Sequence, residues 1–384
     1  MNAERLTSLR ELALLFLRLG ITSFGGPAAH VALMQDEVVR RREWLTDERF
    51  LDLLGATNLI PGPNSTEMAM HIGWERRRGA GLVVAGASFI IPAMLITSAL
   101  GWAYVRYGTV PSARWLLYGV KPVILGVVVQ ALASLAPKAV RTWRLRVLGA
   151  LAVALAGFAG VHELAVLLGV GLAEALAARG TAPAREPEDK GRAFFPWVPA
   201  MAGGAAGAVT LPSIFWVFLK TGSVLFGSGY VLLAFLRADL VRRLHWLTES
   251  QLIDAVAAGQ VTPGPVFTTA TFIGYMLAGW RGAIVATVGI FLPAFVFVSL
   301  SGPLVPRVRA SRWAGGFLDG VNVASLALMA VVTAQLGRAA IVDVPTALLG
   351  FVSAALLVRW KVNATWLIAG GALVGWGLHR AGLG

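Results

Sequence analysis

Cysteine is absent from the 384 residues. That excludes disulfides, iron–sulfur clusters and thiol nucleophiles. Charge is scarce as well. Charged residues make up 14% of the chain and hydrophobic residues 57%, whereas a soluble domain carries about 25% charged residues. Such a chain cannot cover a water-facing surface of its size, so a soluble globular enzyme and a disordered chain are both excluded. The five histidines form no HxxxH or HExxH pair, so no metal site and no cofactor is expected. No nucleophile–base pair stands out, so the chain reads as no enzyme. No basic stripe is interleaved with stacking aromatics, which removes nucleic acid as a partner. Met1–Arg10 is polar, lacks a small-residue cleavage site and reads as no signal peptide.

What the chain has instead is long apolar runs. They define an all-α, polytopic membrane protein of roughly 10–13 transmembrane helices. The net charge of +13 is spread over the loops, as in cytoplasmic loops of membrane proteins.

The sequence repeats itself. FLRLGITSFGG (16–26) returns as FLKTGSVLFGS (218–228), VVRRREWLT (38–46) as LVRRLHWLT (240–248), and IPGP (60–63) as TPGP (262–265). After a one-residue slip, Ile91-Pro92-Ala93 meets Leu292-Pro293-Ala294. Four segments follow: an N-terminal repeat (1–178), a polar linker (179–193), an extra transmembrane segment (194–212) and a C-terminal repeat (213–384). The basic loops at Arg76–Arg78 and Lys138–Arg146 have charge-poor counterparts, while Arg307, Arg309 and Arg312 enrich the counterpart of a poor loop. By the positive-inside rule the halves run in opposite orientations, a recurring plan of secondary transporters. Arg40–Arg42 and Arg242–Arg243, basic in both halves, do not follow that flip.

Spans are expected at 11–33, 79–105, 114–137 and 145–178, and at 214–236, 282–302, 315–336, 341–358 and 364–380. The stretch 145–178 fits one long tilted helix or two short ones. The segments 46–75 and 248–278 read as broken or re-entrant helices, with Trp44 and Trp246 as interfacial anchors. Thr248 and Gln251 have capping-box spacing.

Each half breaks twice. The first break is Ser23-Phe24-Gly25-Gly26-Pro27, matched by Leu225-Phe226-Gly227-Ser228-Gly229. The second is Pro61-Gly62-Pro63-Asn64, matched by Pro263-Gly264-Pro265-Val266. Proline ends one helix and suits the start of the next. Interrupted backbone in a bilayer must be covered by protein or line a cavity. Helix starts there present free amides to an anion. Kinks for close helix packing would leave the same pattern.

The polar candidates lie beside these breaks. Arg18 and Lys220 occupy equivalent positions, able to hold an anion or to snorkel. Asn64, Ser65 and Thr66 can donate to a ligand or cap their helix. Glu67 and His30 are the candidates for proton coupling, Glu67 because only one half carries an acid there; Glu in a first helical turn is favourable in any case. His71 reads the same way as His30, with a satisfied interior histidine the blander account of both. Lys121, opposite Asn322 in the duplication, is a charge inside an apolar span that needs a reason. Asn58 and Gln260 place an amide before each PGP.

The run 16–73, with its FGGP and PGPN elements, together with Pro92 in its apolar span, resembles the chromate ion transporter family of the long-chain, two-domain type, and the resemblance covers nearly the whole chain. It implies a multi-pass protein of the bacterial inner membrane that exports chromate, driven by the proton gradient, and confers chromate resistance, with sulfate as a structural analogue. The motif roles carry over to Gly25, Gly26, Pro61, Gly62, Pro63, Asn64 and Glu67. The second half departs, since FGSG lacks the proline and PGPV the asparagine. Its candidates are Gly227, Gly229, Pro263, Gly264 and Pro265. The expected partners are a chromate- or sulfate-like oxyanion and the lipid bilayer, with a homo-oligomer left open. A transporter of sulfate or another oxyanion, a passive anion channel and a non-transporting scaffold are the alternatives.

Overall fold

The structure is a computed structural model. It describes residues 7–24, 26–57, 59–108, 111–179, 208–226, 231–310, 312–360 and 362–380. The linker after Arg179 and residues 194–207 of the expected extra segment lie outside these, as do Gly25, Asn58, Gly227, Ser228 and Gly229.

The described residues are all-α and contain no strand. In chain order the helices are α1 (Leu9–Thr22), α2 (Pro27–Gln35), α3 (Asp47–Thr57), α4 (Asn64–Tyr107), α5 (Pro111–Ala139), α6 (Trp143–Gly157), α7 (Glu163–Arg179), α8 (Leu211–Val224), α9 (Leu232–Leu236), α10 (Glu249–Val261), α11 (Thr269–Ala310), α12 (Arg312–Ala340), α13 (Val344–Trp360) and α14 (Ala364–Arg380). A π-helical turn follows α2 (Asp36–Arg41) and another follows α9 (Arg237–Arg243). The elements from α8 onward thus run in the same order as those from α1, except that a short 3₁₀ turn (Val266–Thr268) precedes α11. The α8 start sits at Leu211, set by a capping box between Thr210 and Ser213, so it takes in the end of the expected 194–212 segment. The capping box read at Thr248 and Gln251 is present at the start of α10.

The longest helices are not single rods. In α4 the backbone leaves helical geometry at Arg77 and Arg78, and in α11 at Ala278 and Gly279. Thr271 and Thr287 share a 2.7 Å hydrogen bond. Sixteen residues of continuous helix would hold them about 24 Å apart, so α11 folds back on itself. In α4 the same reversal brings Gly73 against Gly81, where an added Cβ would lie 2.2 Å from the Gly81 carbonyl oxygen. Each is therefore a short arm (64–76; residues up to 277) and a long arm (79–107; 280–310). At ~1.5 Å per residue a 29-residue arm is about 43 Å long, enough to cross a ~30 Å hydrocarbon core. Among the described residues four stretches are long and apolar enough to cross by length and composition: Asn64–Tyr107, Trp115–Pro137, Val266–Ser301 and Trp313–Ala340. On α11 the exposed residues Ile284, Val288, Leu292, Val296 and Leu300 repeat every four positions. A stripe this apolar on an outer face suits lipid, not water.

The shorter helices pair as hairpins. Arg49, at the start of α3, bonds Glu75, at the end of the short arm, at 2.6 Å. α3 and 64–76 are thus antiparallel, with Pro61-Gly62-Pro63 at the tip. In the second half a Cβ on Gly259 would meet Thr269 Oγ1, which places the same antiparallel pairing around Gly264. The arms are 11–13 residues long, about 16–20 Å, too short to span. These are re-entrant hairpins. The segment 11–33, expected as one span, also reverses. Arg42 pairs with Glu11 at 2.9 Å and Arg18 pairs with Glu37, so the chain turns back near Gly26. Residues 145–178 form two short helices, tied at their outer ends by Arg144 and Glu174.

The halves interlock. α4 packs on α11, α5 on α12, α13 and α14, and α12 on α6 and α7. The second hairpin lies along the far end of the arm 79–107, where the Tyr104 hydroxyl donates to Asp254 at 2.8 Å and Tyr275 covers Gly101. The first hairpin joins that arm at its near end, through Arg77 and Arg78. The two hairpins therefore come in from opposite ends.

Candidate functional site

The tip of each hairpin is set by its Pro-Gly-Pro. Gly62 has φ +143° and Gly264 φ +87°, backbone that disfavours any side chain. Both tips are buried. Each reaches the middle of the opposite half's long arm: Ala294 lies beside Gly62, and Ala93 beside Gly264. Residue 93 is the centre of 79–107, so the Gly264 tip stands at mid-depth.

There each tip meets the first break of the other half. Gly62 N–H donates to the Leu225 carbonyl at 2.8 Å, and Gly264 N–H donates to the Ser23 carbonyl at 2.9 Å. Leu225 and Ser23 are the residues at which α8 and α1 end. Their carbonyls are freed when the helices stop, and the tips satisfy them. The Ser23 carbonyl also takes His30 Nε2 at 3.1 Å. With the proton on Nε2, Nδ1 is a buried acceptor without a partner.

The first hairpin carries the acid. Pro63 caps α4, one residue earlier in the helix than its expected role as first helical residue, and its carbonyl accepts from the amides of Thr66 and Glu67. The amides of Asn64 and Ser65 open the helix. Glu67 is fully buried, and neither carboxylate oxygen has a hydrogen-bond partner. Its Oε1 lies over Gly62, where a Cβ would come within 2.2 Å. The equivalent position in the second half is Thr269, whose hydroxyl is satisfied by the Val266 carbonyl at 2.8 Å. The two tips match in backbone and differ in chemistry.

Further polar atoms are buried near the tips without partners: Ser23 Oγ, Thr66 Oγ1 and Gln260 Nε2, with Thr97 Oγ1 and Ser98 Oγ one helical turn beyond Ala93. Buried polar groups are ordinarily bonded, so such a cluster calls for an explanation such as a ligand or water. Hydroxyl, amide and backbone donors suit a ligand made of acceptor oxygens.

Arg18 and Lys220 are not free to join this set. Arg18 pairs with buried Glu37, and Lys220 lies 2.7 Å from buried Asp239. Arg41 and Arg42 add to Glu37, and Arg243 to Asp239. The structure thus brings Gly62, Gly264 and their prolines to the first breaks, with Gly26, Ser65, Glu67 and His30 on the flanking segments. It ties Arg18 and Lys220 to π-helical acids instead. Sequence reasoning passed over Glu37 and Asp239, although they stand at the same 202-residue offset as Arg18 and Lys220. It also passed over Leu225 and Ser23 as acceptors, because a carbonyl leaves no trace in residue type. His71 lies along the short arm with Nε2 unpartnered. Among the described residues no cluster of side chains could hold a metal ion.

Long apolar helices enclosing buried helix breaks define a polytopic membrane protein of the transporter class. The chain belongs to the chromate transporter family, which it matches over residues 10–175 and again over 212–376. It is 34% identical to a chromate transport protein of Cupriavidus metallidurans over 373 residues, 96% of this chain and 92% of that one. It is 31% identical to a chromate transport protein of Pseudomonas aeruginosa over 387 residues, covering 94% and 90% of the two chains. No solved structure matches it.

Proposed function

We propose that the chain moves chromate out of the cytoplasm across the inner membrane, driven by the proton gradient, through a site at the two hairpin tips. The observation that carries this reading is the crossed pair of hydrogen bonds, Gly62 to Leu225 and Gly264 to Ser23. Half-helices stopping at mid-depth have no purpose in a scaffold but are what a transporter needs around a midplane substrate. Chromate is a tetrahedral dianion with acceptor oxygens only. The first turn of α4 at Ser65 and the unpartnered hydroxyls of Ser23 and Thr66 supply donors. Glu67 is the proton carrier: it is the acid at the tips, and an ionised carboxylate there has no compensating partner.

Each half is one of two inverted repeats, and alternating access follows if one rocks against the other about the tips. The breaking and remaking of the crossed hydrogen bonds is the local event in that motion. The test is uptake of labelled chromate into inverted membrane vesicles, with and without an uncoupler, with sulfate as competitor. Accumulation abolished by the uncoupler is expected. Accumulation indifferent to it would overturn the proton drive, and no chromate uptake by inserted, folded protein would overturn the substrate.

A further inference from the structure

Lys121 sits within α5, ten residues from its start at Pro111, about 15 Å along the helix. A lysine inside an apolar span needs a reason, and the structure supplies one. A cavity of about 380 Å³ opens beside it, lined by Tyr104, Tyr118, Lys121, Ser250 and Asp254, with Gly108 and Val342 among its walls. At ~30 Å³ per water it holds on the order of a dozen waters. Gly108 and Val342 follow the ends of α4 and α12, so the cavity reaches in from that face of the protein.

The polar wall is incompletely paired. Lys121 Nζ donates to Ser250 Oγ at 2.6 Å, which uses one of its three protons. Asp254 Oδ1 is 3.6 Å away, a Coulombic distance and not a hydrogen bond. That oxygen is buried and has no hydrogen-bond partner, while Oδ2 accepts from Tyr104. The ammonium therefore keeps donors to spare beside a cavity, and its counter-charge is held slightly off by the Tyr104 hydroxyl. The second half has Asn322 opposite Lys121 in the duplication, so the arrangement belongs to one face only.

We propose that this cavity is a second oxyanion site, on the path between that face and the hairpin tips, in which a tetrahedral oxyanion is held by Lys121 with the Ser250 hydroxyl, and Asp254 acts as a tethered competitor for the same ammonium. The inference rests on the reading of the chain as an oxyanion transporter. A site on a conduction path has to bind well enough to admit the ion and weakly enough to release it. A carboxylate 3.6 Å from the ammonium supplies the second property. It lies on α10, an arm of the second re-entrant hairpin, so occupancy of the cavity is felt by the element that carries the Gly264 tip.

The test is chromate flux in reconstituted vesicles together with calorimetric titration of sulfate into the full chain in lipid nanodiscs. Asp254→Asn removes the competitor: sulfate affinity is expected to rise about tenfold, with KM and maximal flux both falling, as for an ion that enters and is slow to leave. Lys121→Gln leaves a buried carboxylate alone and can fail to fold. The double variant Lys121→Gln, Asp254→Asn avoids this and is expected to raise KM about tenfold, while Lys121→Arg retains binding. Unchanged KM and sulfate affinity in Asp254→Asn and the double variant would overturn this site and leave transport through the tips standing. Absence of oxyanion flux and binding in the unaltered protein would overturn both.

Discussion

The amide of Gly62 donates to the carbonyl of Leu225, 163 positions along the chain, at 2.8 Å. The bond joins the tip of one re-entrant hairpin to the end of a helix in the other half. Its counterpart runs from Gly264 to Ser23 at 2.9 Å. Each tip glycine thus has two constraints, a positive φ and a neighbour pressed against its Cα, and each gives a prediction.

Gly62→Ala forces a side chain into φ +143° and against Glu67. Gly264→Ala forces one against Ala93, at 2.7 Å from its Cβ. Each is expected to cost about 1–3 kcal/mol and to reduce chromate flux by more than the loss of folded protein. Thermal unfolding in detergent, set beside vesicle flux, separates the two effects. Full flux in both variants would remove the tips from the transport path.

Glu67→Gln keeps the shape of the side chain and removes its titratable proton. Folding is expected to be preserved, because no partner is lost. Chromate flux should lose its response to an imposed pH gradient. A Gln variant with the pH response of the parent would place the proton elsewhere.

Lys220→Met leaves Asp239, 3% exposed at its side chain, with Arg243 as its remaining ion-pair partner. A destabilisation of about 1–3 kcal/mol is expected. Adding Asp239→Asn should recover part of it, since a neutral amide is cheaper to bury than a half-compensated charge. Chemical denaturation of the single and double variants measures the difference. If Lys220 binds the substrate instead, the single variant will keep its stability and lose affinity.

Asp343 lies in the turn between α12 and α13, where the Tyr118 hydroxyl donates to it at 2.5 Å and Thr346 adds further bonds. These bonds hold its carboxyl below the usual carboxylate range, Tyr118 contributing most. A group whose pKa is lowered on folding stabilises the fold above its unfolded value, about 3.9, and loses that contribution as pH falls through the lower folded value. The gap in melting temperature between the parent and Tyr118→Phe is therefore expected to be constant from neutral pH to about pH 4 and to narrow below it. A gap that does not change with pH would assign Tyr118 a packing role alone.

Much of this arrangement could be read from residue order. Pro-Gly-Pro in both halves announced two interruptions, and proline and glycine punctuate helices whatever surrounds them. The apolar runs announced the long arms for the same local reason. What did not show was direction. A break looks alike whether the chain continues forward or turns back, and it is the Arg49–Glu75 and Gly259–Thr269 contacts that reveal that it turns back. Arg18 and Lys220 were legible as a matched pair, but the acids that neutralise them were not. Those partners lie 19 positions downstream, on π-helical turns that no residue pattern signals.

The crossed hydrogen bonds also bear on assembly. Neither half closes its own tip: the acceptor for Gly62 belongs to α8, and the acceptor for Gly264 to α1. A half made alone would leave an unsatisfied amide and an orphan carbonyl in hydrocarbon, at a cost of several kcal/mol. Such a half would be completed only by a mate that supplies the missing acceptor and donor. Joining both in one polypeptide fixes their ratio at one to one at synthesis, so neither is left to chance encounter.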